Sequence, residues 1–201
     1  MQPFTTVTGL AAPLIWANVD TDMIIPVQRL VGSTREGLGS FGFERFRGRP
    51  DFPLDQPPFA GAPILLAGEN FGCGSSREGA VWTLMGMGFR CVVAPSFGDI
   101  FHNNCFQNGL LPVRLPLAMI RRIAEAMEAG PGNARVTVDL DRQEVVTPWG
   151  EAVPFAIDAR KKQALAEGLD DIALTKQREA EILAWQAKDR AARPWAWDSL
   201  A

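Results

Sequence analysis

Short continuous apolar runs mark the middle of the chain, at residues 63–67, 89–94 and 110–115. Runs of this length are typical of buried strands. Between them the sequence predicts a helix over residues 76–85, which Gly86 would end, and a second helix over residues 96–108 with Gly109 as its stop. Because strands and helices alternate here, the pattern predicts βαβ units and a parallel sheet.

The pattern of apolar positions changes beyond residue 116. Apolar residues recur at helical spacing over residues 117–129, and Gly130 would end this helix. Val136, Val138 and Leu140 alternate with polar residues, as in a half-buried strand. The remaining predicted elements are a hairpin of residues 144–147 with 151–157, a helix ending at Gly168, and a last helix over about 175–190.

The first third of the chain is dominated by turn-forming residues, at 18–22, in a glycine-rich stretch over 32–48, and in a proline cluster over 50–58. So long a weakly structured segment in a compact domain is usually functional or disordered. Its aromatic side chains favour docking on the domain over free disorder. They are Phe41, Phe43, Phe46, Phe52 and Phe59.

The length of 201 residues suits one substantial core. We therefore predict a single α/β domain over residues 1–186 and a C-terminal tail over residues 187–201. Trp195 and Trp197 place two large aromatic rings on that tail. An exposed aromatic pair would indicate a surface for a partner, and the alternative is that the tail folds back on the domain.

Composition excludes several classes of function. A net charge of −3 and a pI near 5.3 provide no basic field for nucleic acid or an anionic membrane. No leader pattern opens the chain and no apolar run approaches a membrane span, so we expect a cytoplasmic protein. Cys73, Cys91 and Cys105 form no CxxC pair, which suits neither disulfides nor a local metal site. Any iron–sulfur cluster would therefore come from a partner, and none is expected in this chain.

The most informative segment is residues 70–78, Asn-Phe-Gly-Cys-Gly-Ser-Ser-Arg-Glu, at the predicted change from strand to helix. Free backbone N–H groups and the positive end of a helix dipole favour an anion there. Gly72 and Gly74, on either side of Cys73, permit positive φ and close approach of a ligand. Arg77 adds a planar fork suited to a carboxylate. The segment predicts a site for a small carboxylic or phosphorylated acid.

A structural alternative explains part of the same segment. Ser75 followed three residues later by Glu78 is the pattern of a capping box, which would assign both side chains to the helix end. Glycine-rich turns between strand and helix are also common packing devices. A P-loop is excluded, because no Gly-Lys-Ser/Thr follows the loop.

Residues 70–78, together with 96–101 and 108–112, resemble the 3-isopropylmalate dehydratase small-subunit family and the swivelling fourth domain of aconitases. Residues 18–22, followed by Ile24-Ile25-Pro26, match the opening signature of that family. Residues 168–170 with Ile172 and Leu174 resemble its C-terminal turn. The resemblance is colinear from about residue 7 to about residue 186.

The resemblance implies a swivelling β/β/α domain with C-terminal helices that pairs with a large subunit. That large subunit would carry a [4Fe–4S] cluster, with three irons held by its cysteines and the fourth binding the substrate as a Lewis acid. The active site would lie between the two chains. The implied reaction dehydrates 2-isopropylmalate to an unsaturated diacid and rehydrates it on the neighbouring carbon, a step of leucine biosynthesis.

The same resemblance implies catalytic roles at the loop. Ser75 would be the alkoxide-like base that moves the carbon-bound proton, and Ser76 and Arg77 would bind a substrate carboxylate. An ordinary serine is far too weak a base. Backbone donors, the helix N-terminus and Arg77 would therefore have to stabilise the Ser75 anion.

Residues outside the loop are implied to complete the site. Thr21 and Asp22 would lie near its mouth. Leu30, Val31 and Arg35 occupy the place of the family's substrate-recognition loop. The apolar pair would contact an isopropyl group and Arg35 the distal carboxylate, while a mobile surface loop is the alternative interpretation.

Two further candidates have ordinary structural explanations. The two carboxylates of Asp20 and Asp22 could together bind a metal ion. We predict instead that they form a turn, and we expect no metal site. His102, the one histidine of the chain, has the chemistry of a general acid or base. A lone histidine on a helix is more often a surface or packing residue, and we predict that role.

One position departs from the resembled pattern. Gly79 stands where the family usually has histidine, and a helical glycine costs about 1 kcal/mol relative to alanine. A paralogue acting on citramalate or another alkylmalate is therefore an alternative. A non-catalytic module that binds dicarboxylates is a second alternative, of a different class.

Overall fold

The computed structural model describes residues 1–130, 132 and 134–197. The strands are β1 Thr6–Gly9, β2 Ala11–Leu14, β3 Ile64–Ala67, β4 Cys91–Ala94, β5 Leu111–Arg114, β6 Val136–Asp139, β7 Glu144–Val146 and β8 Ala152–Pro154. The α-helices are α1 Thr21–Ile24, α2 Val27–Leu30, α3 Glu78–Gly86, α4 Asp99–Asn108, α5 Leu117–Ala129, α6 Ala159–Glu167, α7 Asp171–Lys176 and α8 Glu179–Ala192. Short 3₁₀ segments cover Arg35–Phe41, Pro53–Asp55 and Pro194–Ala196.

The predicted parallel sheet is present and has the strand order β2-β3-β4-β5. Every neighbouring pair in it is parallel. All residues of β3 and β4 are buried, as their continuous apolar runs predicted. Helix α5 packs on β2, β3 and β4 and buries the face carrying Ile120, Ile123, Ala124 and Met127. The sheet and α5 form the centre of the core.

A second, antiparallel sheet has the order β1-β6-β7-β8. Val136 and Val138 are buried while their neighbours are half-buried, which confirms the alternating pattern. Strands β7 and β8 form the predicted hairpin, with Val146 opposite Ala152. Strand β1, which the sequence analysis missed, pairs with β6 from the far end of the chain. This mixed α/β architecture confirms the predicted fold class.

The aromatic residues of the first third are docked on the domain, as predicted. Phe43, Phe52 and Phe59 are buried. Trp16 packs against Phe46, with ring centroids 5.1 Å apart. The connection over residues 31–62 has little regular structure, and these rings hold it against the core.

The predicted single helix over residues 175–190 is wrong. Helix α7 begins earlier, where the Asp170 carboxylate accepts the Ala173 N–H at 2.7 Å. The backbone then leaves the helical region at Arg178, with φ −101° and ψ 23°, before α8 begins. No glycine or proline marks this break, so the sequence pattern contains no stop signal.

Helix α8 continues through residue 186, where the predicted tail begins. Trp197 folds back on this helix, because its indole N–H donates to the Asp189 carboxylate at 3.0 Å. Trp195 is 73% exposed. Residues 198–201 of the predicted tail lie outside the described residues.

Across residues 1–130, 132 and 134–197, the search for a helix of sufficient length and hydropathy to span a membrane finds none.

Candidate active site

The loop between β3 and α3 meets the loops that follow β2 and β4. The Phe71 N–H donates to the Ser96 carbonyl at 3.1 Å, and the Gly98 N–H donates to the Phe71 carbonyl at 2.9 Å. On the other side, the Thr21 N–H donates to the Cys73 carbonyl at 3.0 Å. All three loops follow neighbouring parallel strands, so they share the carboxyl edge of the sheet. Ligand sites of open α/β sheets are usually found at that edge.

Two glycines are required by the path of this loop. Gly72 has φ 73°, and a Cβ there would lie 2.2 Å from the Phe101 ring. Gly74 has φ 86°, a conformation that residues with a side chain rarely adopt. Cys73, which lies between these two glycines, forms an isolated parallel β-bridge with Asp20.

A short network joins Thr21 and Asp22 to the loop. The Thr21 hydroxyl, in a residue only 2% exposed, donates to the Ser75 carbonyl at 2.9 Å. The same hydroxyl oxygen accepts from Arg77 Nη1 at 3.2 Å. Arg77 Nη1 also lies 2.7 Å from the Asp22 carboxylate. The structure thus brings together four of the residues implied by the resemblance.

The Asp20–Asp22 turn has the predicted structural role. Asp20 caps α1, accepting the Met23 N–H at 2.7 Å. Asp22 is paired with Arg77, so each carboxylate already has a protein partner. The predicted turn-forming role is therefore seen for Asp20, whereas Asp22 serves in the ion pair with Arg77.

The capping-box interpretation of Ser75 is wrong. Helix α3 begins at Glu78, and the position before it is Arg77, with φ −136° and ψ 103°. The Glu78 carboxylate instead accepts from the side-chain amide of Asn108 at 2.7 Å. The helix therefore starts about two residues later than predicted, and Ser75 lies outside it.

Several donors in the Ser75–Arg77 stretch lack a hydrogen-bond partner among the described residues. Within the described part of the chain, the Ser75 hydroxyl makes no hydrogen bond, and the backbone N–H groups of Ser75, Ser76 and Arg77 have no acceptor. Unpaired donors next to a guanidinium are suited to an anion. This favours the anion-binding interpretation of the segment.

An open cleft of about 300 Å³ lies over these groups. Its lining includes Ser75, Arg77 and Thr21. It also includes Gly98 and the first turn of α4 (Asp99, Ile100 and Phe101), which were not among the predicted site residues. A larger cavity of about 670 Å³ lies between α6, α7 and α8 and contains no predicted site residue. The smaller cleft is the candidate site, because Ser75 and Arg77 line it; Ser76 does not belong to its lining.

Leu30, Val31 and Arg35 do not line this cleft, although Leu30 and Arg35 lie beside α3. Leu30 covers Gly79, where an added Cβ would lie 2.4 Å from Leu30 Cδ2. Val31 is 81% exposed. Arg35 Nη2 donates to Asn108 Oδ1 at 2.8 Å, and its guanidinium lies 5.1 Å from the Trp82 ring centre. Their role towards substrate stays a prediction.

His102 packs between the Phe97 and Phe106 rings, with centroid distances of 5.6 and 5.1 Å. Burial, with the positive charges of Arg114 and Lys161, lowers the pKa of His102 to about 4. The residue does not line the cleft. Its surroundings confirm the predicted packing role.

The thiols of this chain do not fit the ligand set of an iron–sulfur cluster. Cys91 and Cys105 are buried in the core, and burial raises the pKa of both. Burial and the nearby Asp20 raise the pKa of Cys73, at the edge of the cleft. Within residues 1–130, 132 and 134–197, no three histidine, cysteine or carboxylate side chains are grouped so as to hold a metal ion.

Comparison with known proteins identifies the class to which this fold belongs. A family model described as the aconitase C-terminal domain matches residues 1–118, and one described as LeuD_N matches residues 121–159. The crystal structure of 3-isopropylmalate dehydratase (leuD) from Methanocaldococcus jannaschii is similar, with a TM-score of 0.66 and 28% identity over 89% of this chain and 99% of that one.

Curated relatives define the family more narrowly. The 3-isopropylmalate dehydratase small subunit of Rhodospirillum centenum is 48% identical, covering 98% of this chain and 99% of its own length. Those of Dinoroseobacter shibae and Cupriavidus necator are 49% and 50% identical over 97% of this chain, and 100% and 98% of their own lengths. This chain belongs to the family of 3-isopropylmalate dehydratase small subunits.

Proposed function

We propose that the chain is the small subunit of a 3-isopropylmalate dehydratase, a hydro-lyase that converts 2-isopropylmalate to 3-isopropylmalate in leucine biosynthesis. The observation that supports this best is the Ser75 hydroxyl, which lies in one cleft with Arg77. Among the described residues, neither this hydroxyl nor the neighbouring backbone N–H groups have a hydrogen-bond partner. The names of relatives that match almost the whole chain support the same substrate.

In this proposal Ser75 moves the proton and the loop binds the acid. The Ser75 alkoxide takes the carbon-bound proton next to a carboxylate and becomes a hydroxyl, while the carbon–oxygen bond breaks and the substrate hydroxyl leaves as hydroxide, which produces the unsaturated diacid. The Ser75 hydroxyl then returns its proton to the carbon that lost the hydroxide, and hydroxide adds to the neighbouring carbon, which gives the isomer and restores the alkoxide. Arg77 and the N–H groups of Ser75 and Ser76 bind a carboxylate and stabilise the Ser75 oxyanion.

Thr21 orients this arrangement, because its hydroxyl contacts both the Ser75 carbonyl and Arg77. Asp22 holds the same guanidinium through Nη1. The other nitrogens of Arg77, Nε and Nη2, are left for a substrate carboxylate. A tethered guanidinium loses little freedom when substrate binds, which favours binding.

A large subunit completes the enzyme in this proposal. Its [4Fe–4S] cluster would supply the Lewis acid for the departing hydroxyl. The cleft is open, and this chain lacks a set of thiols for such a cluster within its described residues. We also propose that the complex is cytoplasmic and binds neither nucleic acid nor membrane, in keeping with the acidic charge.

The test is reconstitution with a matching large subunit loaded with its cluster. The parental complex should interconvert 2- and 3-isopropylmalate, with the unsaturated diacid followed by its ultraviolet absorbance. Citramalate serves as the competing substrate. Ser40→Ala, at an exposed serine of a 3₁₀ segment, is the matched control for Ser75→Ala. A parental complex without turnover of isopropylmalate would contradict the proposal, and higher kcat/KM on citramalate would reassign the substrate.

A further inference from the structure

Asn108 is a buried polar residue at the C-terminal end of α4, with 4% exposure. Its side-chain oxygen accepts from Arg35 Nη2 at 2.8 Å and from the Trp82 indole N–H at 2.9 Å. Its side-chain nitrogen donates to Glu78 Oε1 at 2.7 Å and to the Asn104 carbonyl at 2.9 Å. All four hydrogen-bonding positions of the amide are occupied.

These bonds connect three separate parts of the fold. Glu78 is the first residue of α3 and directly follows Arg77. Arg35 begins the 3₁₀ segment that packs along α3. The amide of Asn108 therefore ties the start of α3, and with it the Ser75–Arg77 loop, to both α4 and the Arg35 segment.

The chemistry at this position suits only an amide. The oxygen faces donors from Arg35 and Trp82, whereas the nitrogen faces two acceptors, a carboxylate and a carbonyl. A carboxylate would present an acceptor to both, and an apolar side chain would bond none of the four groups. Asn108 is itself buried, and a buried polar group without partners is costly, so this arrangement of the amide is favoured.

We propose that Asn108 is a positioning residue of the active site, which acts through Glu78 and Arg35. This rests on the proposed function. By holding the first turn of α3, Asn108 fixes where Ser75 and Arg77 stand relative to the substrate. Misplacement of about 1 Å can cost on the order of 100-fold in rate, so loss of this tether lowers catalysis even when the fold remains.

The test uses a swap of donor and acceptor between residues 78 and 108. Asn108→Asp keeps the shape and the bonds from Arg35 and Trp82, but sets two carboxylates against each other. Glu78→Gln alone keeps an acceptor for Asn108. The double variant restores the pair, because the amide introduced at position 78 then donates to the carboxylate introduced at position 108. All are assayed in the complex with the large subunit, well below each Tm.

We expect Asn108→Asp to lower kcat/KM per assembled site by at least about 10-fold, Glu78→Gln to stay within about 3-fold of the parent, and the double variant to return to within about 3-fold. Asn103→Asp makes the same change on the same helix, where the side-chain oxygen already accepts from Lys161. It should leave kcat/KM unchanged.

A merely structural role would lower Tm and the yield of complex while leaving kcat and KM per assembled site at parental values. That result overturns the inference alone, because the parental complex remains active. The double variant failing to recover also contradicts it. A parental complex inactive on isopropylmalate would overturn the proposed function together with this inference.

Discussion

Ser75 stands three residues before the first residue of α3, and its hydroxyl has no hydrogen bond within the described chain. Removing the hydroxyl therefore costs no helix cap. We expect Ser75→Ala to leave Tm within about 2 °C of the parent, since surface changes are usually within ±0.5 kcal/mol. If Ser75 is the base, kcat should fall by on the order of 10²–10⁴. Differential scanning fluorimetry measures Tm, and steady-state kinetics of the assembled complex measures kcat. A kcat close to the parental value would show that Ser75 is not the base.

Arg77 holds Asp22 and Thr21 through the same nitrogen. Arg77→Lys preserves the charge, but an ammonium cannot hold this pair and a substrate carboxylate in a planar fork. We expect kcat/KM to fall at least about 10-fold, with Tm within a few degrees. Arg29→Lys, in an exposed ion pair with Glu44, is the control. Equal kinetics for both variants would exclude Arg77 from substrate binding.

His102 makes stability depend on pH. Its pKa of about 4 in the folded chain is caused by burial, Arg114 and Lys161, and lies below the ordinary value of about 6.5 in the unfolded chain. As pH falls from 6.5 to 4, the unfolded state takes up the proton first, so His102 increasingly favours unfolding. Above pH 6.5 it has no such effect. Tm should fall more steeply over this range for the parent than for His102→Gln, and equal slopes would contradict the assignment.

The packing of α3 against earlier parts of the chain constrains two glycines differently: Gly79 of α3, and Gly39 of the 3₁₀ segment Arg35–Phe41. A Cβ at Gly79 would meet the end of the Leu30 side chain, which is able to rotate away. A Cβ at Gly39 would lie 2.3 Å from the backbone of Gly86, which has no such freedom. The same small substitution therefore has different consequences at the two positions.

We expect Gly79→Ala to assemble with a Tm near the parental value, because a gain of about 1 kcal/mol in helix propensity offsets the displacement of Leu30. Its kcat/KM ratio between isopropylmalate and citramalate should shift. Gly39→Ala should lower Tm by at least several degrees. An unchanged substrate ratio in Gly79→Ala would show that Leu30 does not influence the substrate pocket.

Elements with a strong local pattern could be predicted from the sequence. Helix α5 was predicted with its observed ends, because its apolar stripe is clear and Gly130 stops it. Strand β2, Ala-Ala-Pro-Leu, lacks the β-branched residues that indicate a strand. Its place in the sheet depends on its partner β3, some fifty residues later, and local pattern contains no such information.

The same division applies to the site. The loop at residues 70–78 is contiguous, so its glycines and polar groups were visible in the sequence. Thr21 was assigned to the site only through the family resemblance, because Thr21 and Ser75 are 54 positions apart in the sequence and no local pattern connects them. Asn108 was read only as part of a helix stop, since the buried network that engages it is formed by tertiary packing.

At the scale of the whole molecule, the three cysteines lie on β4, on α4 and in the site loop. Two are deep in the core, so a shared cluster would require the core to open. We expect the chain expressed alone to be colourless and to contain less than stoichiometric iron by elemental analysis. A brown isolated chain with an iron–sulfur absorption band would contradict the two-subunit proposal.

Strand β1 pairs with β6 across most of the chain, Thr6 facing Asp139. Closing so long a loop costs chain entropy before any bond of the pair is gained. On the ribosome, β1 emerges first and must wait for β6, which at 5–20 residues per second means a delay of roughly 10 s. Leu10 alone separates β1 from β2, so two adjacent strands find their partners at different times, β2 once β3 has been made and β1 only once β6 has been made.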